Sequence, residues 1–213
     1  MKGMMEALAG VLALGMLAPD AVTARTTPAA AHSGRSCAIE GWSVDRDPRG
    51  LNVRANPSAT APVVGQLPRF VVSDDGDYGP GFAISGAQGG WLRIRDARDA
   101  WRPSDLPRRR VYAGAGWVHG SMIRVAVQSP AGRAAPAPNA PVLVDTGEHW
   151  LSEQGAVTAV TDCQGVWAKV RYTLPKPPRR GPRTGEAWFT AICGDQRTTC
   201  DMPGSGATVG RSM

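Results

Sequence analysis

Short runs of alternating apolar and polar residues recur along the chain from about Cys37 onward, each broken within a few residues by Gly, Pro or Asp. LNVRA, VVGQL, FVVSDD, GFAIS, WLRIRD and GWVHGSMIRV fill the stretch up to Val127, and PVLVD, AVTAVTDC, VWAKVRYTL and AWFTAIC fill most of the stretch from Val142 to Cys200. Period-two alternation bounded by turn residues is the pattern of half-buried β-strands. In Trp91-Leu92-Arg93-Ile94-Arg95, Trp91 and Arg93 share one face while Leu92 and Ile94 share the other, so the second pair should point into a core. The expectation is an all-β chain.

Its organisation follows from where the alternation stops. Residues 25–36 are small and aperiodic and are expected to be disordered, as is the tail 204–213. SPAGRAAPAPNAP, Ser129 to Pro141, is rich in Ala and Pro and is expected to form no ladder, which makes 128–141 the predicted linker between a domain at 37–127 and a second at 142–203. The two halves resemble each other. GGWLRIRD, a long loop and GAGWVHGSM in the first half match GVWAKVRY, a basic Pro-rich loop and GEAWFTAIC in the second, so that Trp91 corresponds to Trp167 and Trp117 to Trp188. Such a repeat indicates a duplicated supersecondary unit.

RGLNVRANPSATAPVVGQLP, Arg49 to Pro68, followed by GGWLRIRD and GAGWVHGSMI, resembles the bacterial SH3-like domain (SH3b, SH3 type 3) over roughly Trp42 to Val125. That family's pattern is a Leu-Asn-Val-Arg strand, a Pro-Ser turn, an apolar-Gly strand, a Gly-Trp strand and a Gly-Trp-Val strand. Leu51 and Val53 should face the core with Asn52 and Arg54 outward, Pro57-Ser58 should turn the chain, and Gly116 should permit a close approach before Trp117, whose ring would cover one end of the core. The resemblance implies a small five- or six-stranded barrel, hence two small SH3-like β-barrels in tandem joined by an Ala/Pro-rich linker. The second half has no Leu-Asn-Val-Arg segment and is expected to be degenerate. Family members are commonly cell-wall-targeting or peptide-binding modules; this chain departs from the pattern in a long insertion, DARDAWRPSDLPRRRVYAGA, between Asp96 and Ala115.

Composition agrees with strands and turns: of 213 residues 26 are Gly and 18 are Pro, and a hydrophobic fraction of 42% supplies material for packed cores. The formal charge of +6 is carried mainly by Arg, the lysines being Lys2, Lys169 and Lys176. Such an excess either attracts anionic partners or serves solubility. Residues 1–24 have the layout of a secretory signal, with Lys2, an apolar run from Ala7 to Ala18 and Val22-Thr23-Ala24 as the cleavage site, although Glu6 is unusual there. The apolar run is shorter than the roughly 20 residues a span needs. A periplasmic or secreted protein is therefore expected. Four cysteines suit an oxidising compartment and leave three connectivities open; the short polar loop CGDQRTTC favours Cys193 with Cys200, leaving Cys37 for Cys163. A metal site is disfavoured, since no CxxC occurs and the histidines are far from these positions.

Candidate chemistry is sparse. Of the three histidines, His32 falls in the stretch expected to be disordered, His149 follows the linker, and His119 in GWVHGS reads as an exposed strand position, so no catalytic residue is assigned. Asp74, Asp75 and Asp77 lack EF-hand spacing and read as a turn, and no phosphate-cradling loop occurs. No metal and no cofactor is expected. Tyr78, Trp101, Arg108, Arg109 and Arg110 are the candidate ligand-binding residues, aromatics stacking on sugar or proline rings and Arg pairing with carboxylates. The alternative is that Trp101 packs its loop onto the barrel while the arginines stay solvated. The resulting expectation is an exported, non-enzymatic module for peptidoglycan or its peptides at the bacterial cell envelope. The alternative is an adaptor or inhibitor that binds another exported protein through the 96–115 loop. Nucleic acid is disfavoured as a partner.

Overall fold

Leu51 and Val53 are buried while Asn52 is exposed, and Leu92 and Ile94 are buried while Arg93 and Arg95 are exposed, as the alternation requires. The structure is a computed structural model that describes residues 34–72, 77–99, 109–147, 151, 156–194 and 196. The signal segment 1–24, Trp101, Arg108, Cys200 and the tail 204–213 lie outside the described residues. All described residues fall within one compact unit, Ser33–Met213, and every regular element among them except a single 3-10 turn, Gly120–Met122, is a strand.

The first sheet contains β1 (Arg35–Ser43), β2 (Leu51–Arg54), β3 (Val63–Leu67), β4 (Gly81–Gln88), β5 (Trp91–Arg98), β6 (Arg110–His119) and β7 (Ile123–Arg124), in the order β3-β2-β6-β5-β4-β1-β7. The second contains β9 (Ala131–Arg133), β10 (Val142–Asp145), β11 (Val157–Gln164), β12 (Trp167–Thr173) and β13 (Thr184–Phe189), in the order β10-β9-β13-β12-β11. β8 (Ala126–Val127) pairs with β14 (Ile192–Cys193) in a short ribbon. The order β3-β2-β6-β5-β4 repeats as β10-β9-β13-β12-β11, so the duplication extends to all five strands of the second sheet.

This corrects the linker. Ser129–Pro141 does form a ladder: Ala131–Arg133 is β9, paired with β10 and, through Arg133 opposite Trp188, with β13. Its loop copies the one after β2. Arg54 Nη1 donates to the Ala61 carbonyl and Arg133 Nη1 to the Ala140 carbonyl, each at 2.8 Å, and the Ala55 and Ala134 amides donate to Pro62 and Pro141, each at 2.9 Å. Pro is tolerated there because the Ala/Pro residues form the loop rather than the ladder. The second half has no Leu-Asn-Val-Arg segment, yet a strand, Ala-Gly-Arg, occupies the matching place. A side chain on Gly132 would overlap the Phe189 ring and approach Val144, so Phe189 fills the space that Val53 occupies in the first half. Apolar volume has moved from β9 to β13, which conserves packing while erasing the motif.

The halves share one apolar core, running from Leu51, Ile84, Leu92 and Val118 to Val160, Val170, Tyr172 and Phe189. β1 ties them together. Cys37 on β1 is disulfide-bonded to Cys163 on β11, the Ala38 amide donates to Gly165 at 2.7 Å, and the Gly165 amide donates to Ser36 at 2.8 Å. Arg35 pairs with Asp162 and lies 5.5 Å from the Trp188 ring centroid. Cys193 is also disulfide-bonded. Trp117 and Trp188 are buried, as core tryptophans should be. Trp117 pairs in register with Arg93 and Trp188 with Lys169, so both rings lie on the face opposite Leu92 and Ile94 or their counterparts and are buried there, outside the apolar core cluster. Trp91 and Trp167 are half-buried on those same outer faces.

Replacing both Cys37 and Cys163 by Ala should lower stability by about 4–5 kcal/mol, because the bridge spans 126 residues of sequence and closes a long loop in the unfolded chain; a loss below about 1 kcal/mol in urea unfolding would show that the seam holds without it. Arg54→Ala and Arg133→Ala should each cost about 1–3 kcal/mol, and by similar amounts, if the two loops are true copies. Unequal losses, with Arg133→Ala near zero, would contradict the duplicated clamp.

Candidate binding surfaces

Arg49, Gln66, Pro68, Arg109 and Arg110 line an open groove of about 380 Å³ at the base of the 96–115 loop. Local turn chemistry holds each guanidinium. In the turn before β2, Asp47 accepts the Arg49 amide at 2.9 Å and its side chain at 3.0 Å, and Gly50 takes a φ of 84°, a left-handed conformation that suits glycine. At the end of β5 a bulge puts Asp96 at φ 55°, from which its carboxylate reaches Arg110 at 2.8 Å and Arg98 at 3.3 Å. The Asp99 amide donates to the Arg109 carbonyl at 2.8 Å, closing the base of the insertion, and the two side chains pair at 3.5 Å. The Arg49 hydrogen bond holds the Asp47 carboxyl below the usual range, and the Arg98 hydrogen bond followed by the charge of Arg110 does the same for Asp96. All three arginines remain exposed and keep donors directed to solvent. A groove of this kind can orient carboxylates or phosphates.

The structure thus brings Arg109 and Arg110 together. Tyr78 is not part of the groove; it forms a bridge with Val71, each amide donating to the other's carbonyl at 2.8 and 2.9 Å. Trp101 and Arg108 lie outside the described residues. Arg49 was missed by sequence reasoning, which read it only as the start of the RGLNVR motif; its spacing from Asp47 across a Pro-containing turn was the available signal.

A second cleft, about 260 Å³, opens in the seam between the halves and is lined by His119, Ser121, Asp162, Lys169, Arg171 and Glu186. Its charges are answered internally. Asp162 is held by Arg35 and Glu186 by Lys169, with Arg171 at 3.9 Å. Burial raises the Glu186 pKa, but hydrogen bonds from Lys169 and Thr161 together with the Lys169 and Arg171 charges outweigh it, so the net direction is down. His119 Nδ1 lies 2.8 Å from Ser121 Oγ, and its ring stands edge-on to Trp91 at 5.3 Å. That distance is one a nucleophile and its base would show. Here the contact caps the 3-10 turn, whose Ser121 amide also donates to Nδ1 at 3.4 Å, and among the described residues no third side chain hydrogen-bonds the imidazole.

Compared with known proteins, the chain matches no family model, no curated protein and no solved structure. Among the described residues no helix is long and apolar enough to cross a membrane.

Because the folded-state pKa of Glu186 is depressed below the ordinary 4.5, its ion pairs stabilise the fold above that pH, and their contribution fades as pH falls through the lower folded value. Glu186→Gln should therefore be less stable than the native chain at neutral pH and converge with it in strong acid. Urea midpoints measured between neutral pH and about pH 3 decide this, and a difference independent of pH would exclude the linkage.

Proposed function

We propose that this chain is an exported, non-enzymatic binding module of two SH3-like halves in tandem, and that it recognises peptidoglycan or its peptides at the bacterial cell envelope from a periplasmic or secreted location. The observation that carries the reading is the groove of Arg49, Arg109 and Arg110, where three exposed guanidiniums are pre-positioned by their own aspartates and can pair with the carboxylates of a wall peptide. The all-β fold, the RGLNVRANPS segment and the Cys37–Cys163 disulfide, which is compatible with an oxidising compartment, add support.

A second reading, an adaptor or inhibitor that contacts another exported protein through the 96–115 loop, draws on the closed base of that loop, where Asp99 meets Arg109. Both readings use the same end of the first half.

Disulfide-intact protein should co-sediment with purified sacculi at low salt, and added salt should release it. The triple variant Arg49→Gln, Arg109→Gln, Arg110→Gln should lose most of that binding with its unfolding transition unchanged. Native protein that stays in the supernatant at low salt would count decisively against a wall ligand; native binding that the triple variant retains would reject the groove.

A further inference from the structure

The loop between β12 and β13 is the basic, Pro-rich segment that neither the groove nor the seam cleft uses. From Pro175 to Arg183 only Pro178 is half-buried, and every other residue is exposed. A loop so exposed is ordinarily free to move, but this one is fastened on both flanks. On one side the Arg183 guanidinium donates to the Leu174 carbonyl at 3.0 Å and to the Pro175 carbonyl at 2.7 Å, and the Leu174 amide donates to the Arg183 carbonyl at 2.8 Å. On the other, Arg180 forms a bridge with Asp145 on β10. The Asp145 amide donates to the Arg180 carbonyl at 2.8 Å, and the Arg180 amide donates to the Asp145 carbonyl at 3.1 Å. Gly181 follows at φ 92° and lies so close to β10 that a side chain there would collide with the Leu143 carbonyl.

These contacts single out one peptide bond among the four basic residues of the loop. The Arg180 and Arg183 carbonyls are engaged as acceptors, and Lys176 is joined to the imide nitrogen of Pro177. Arg179, preceded by the φ-restricted Pro178, is exposed, and among the described residues its carbonyl accepts no backbone hydrogen bond. The nitrogen across that bond belongs to Arg180, the residue tied to Asp145.

We propose that this loop inhibits arginine-directed serine proteases, with Arg179 entering a specificity pocket that ends in a carboxylate. The protease's serine oxygen attacks the Arg179 carbonyl carbon, the bond to the Arg180 nitrogen breaks, and that nitrogen leaves as an amine carrying the serine proton passed on by the enzyme's histidine. From an ordinary substrate the amine diffuses away and water completes hydrolysis. Here Arg180 stays bridged to Asp145, while Leu174 and Pro175 stay clamped to Arg183, so the amine remains beside the acyl carbon. The reverse step, which re-forms the peptide bond and returns the proton to the serine, then outpaces hydrolysis. Ordering of the loop before docking keeps the entropic cost of association low. The site uses none of the groove residues and stands independently of wall binding.

The test adds full-length disulfide-intact protein to trypsin, whose pocket ends in an aspartate, and to chymotrypsin, whose pocket is apolar. Hydrolysis of a chromogenic peptide substrate reports inhibition, and mass spectrometry reports cleavage of the loop. Native protein should inhibit trypsin competitively and leave chymotrypsin active. Arg179→Ala should weaken inhibition by about 100-fold or more, and Arg179→Lys by no more than about tenfold, since an ammonium still reaches the carboxylate. Gly181→Ala loses the left-handed φ and the close approach to β10, so it should turn the loop into a substrate cut between Arg179 and Arg180 while the protein still unfolds cooperatively. Trypsin left fully active by native protein, equal inhibition of chymotrypsin, inhibition retained by Arg179→Ala, or native protein cut at Arg179 as fast as Gly181→Ala would each overturn the proposal.

Discussion

The attachment of β1 to β11 is the constraint on which the rest of this structure depends. Cys37 and Cys163 join covalently the first strand of one half to a strand of the other, and the reciprocal amides between Ser36, Ala38 and Gly165 fix the register of that contact. With register and direction set, Arg35 falls over Trp188 and onto Asp162, so a ring and a carboxylate on the outer face of the second sheet are satisfied from the first half. Nearby, Gly120 packs so closely on the Val160 carbonyl that no side chain would fit. A single tie thus decides which surface of the second half is lost to solvent, and the shared apolar core is built around that choice.

Charge follows from this geometry. Lys169 sits half-buried where the halves close on each other, and an unpaired cation there would carry a desolvation penalty, whereas Arg171 at the edge of the cleft stays exposed. Asp162 and Glu186 remove it, and the depressed Glu186 pKa records how far the cationic surroundings outweigh burial. Arg93 and Arg95 face water, pay no such penalty, and have Ala and Gly beside them. Acids stand beside the half-buried Lys169, whereas Arg93 and Arg95 have none beside them in register. The same reasoning separates the arginine groove from the β5 row: in the groove every guanidinium is steered by an aspartate in its own turn or bulge, which orders it for directional pairing.

Much of the strand pattern was legible in the chain. Leu92 and Ile94, or Leu51 and Val53, declare their faces by alternation, and the pairing of Cys37 with Cys163 was the connectivity left once the short loop had been assigned to the other two cysteines. The Ala/Pro segment was misread because the signal had been exchanged between strands: Gly132 occupies the Val53 position, and the missing volume arrives from Phe189 on β13, 57 residues further along. Composition then pointed to a spacer where Arg133 and its 2.8 Å bond to Ala140 form a clamp. For Trp117 and Trp188 hydrophobicity foretold burial but not the face, which register sets opposite Arg93 and Lys169. Of the binding residues, Arg109 and Arg110 were visible as a cluster, but Arg49 joins them only through a turn some 60 residues earlier, and Tyr78 was linked to them by composition rather than by contact.

A duplicated module invites the assumption of two equivalent binding sites, and the assembly argues against it. For both copies to bind alike, their outer faces would have to be equally free, yet the second copy's face is used to hold the first: Arg35, His119 and the 3-10 turn lie against it, with Asp162 paired to Arg35 and Glu186 to Lys169. The Gly132 and Phe189 exchange keeps the packing volume of the second half while removing its sequence motif. The second half is thereby the base that holds β1, and through it the first sheet, in place.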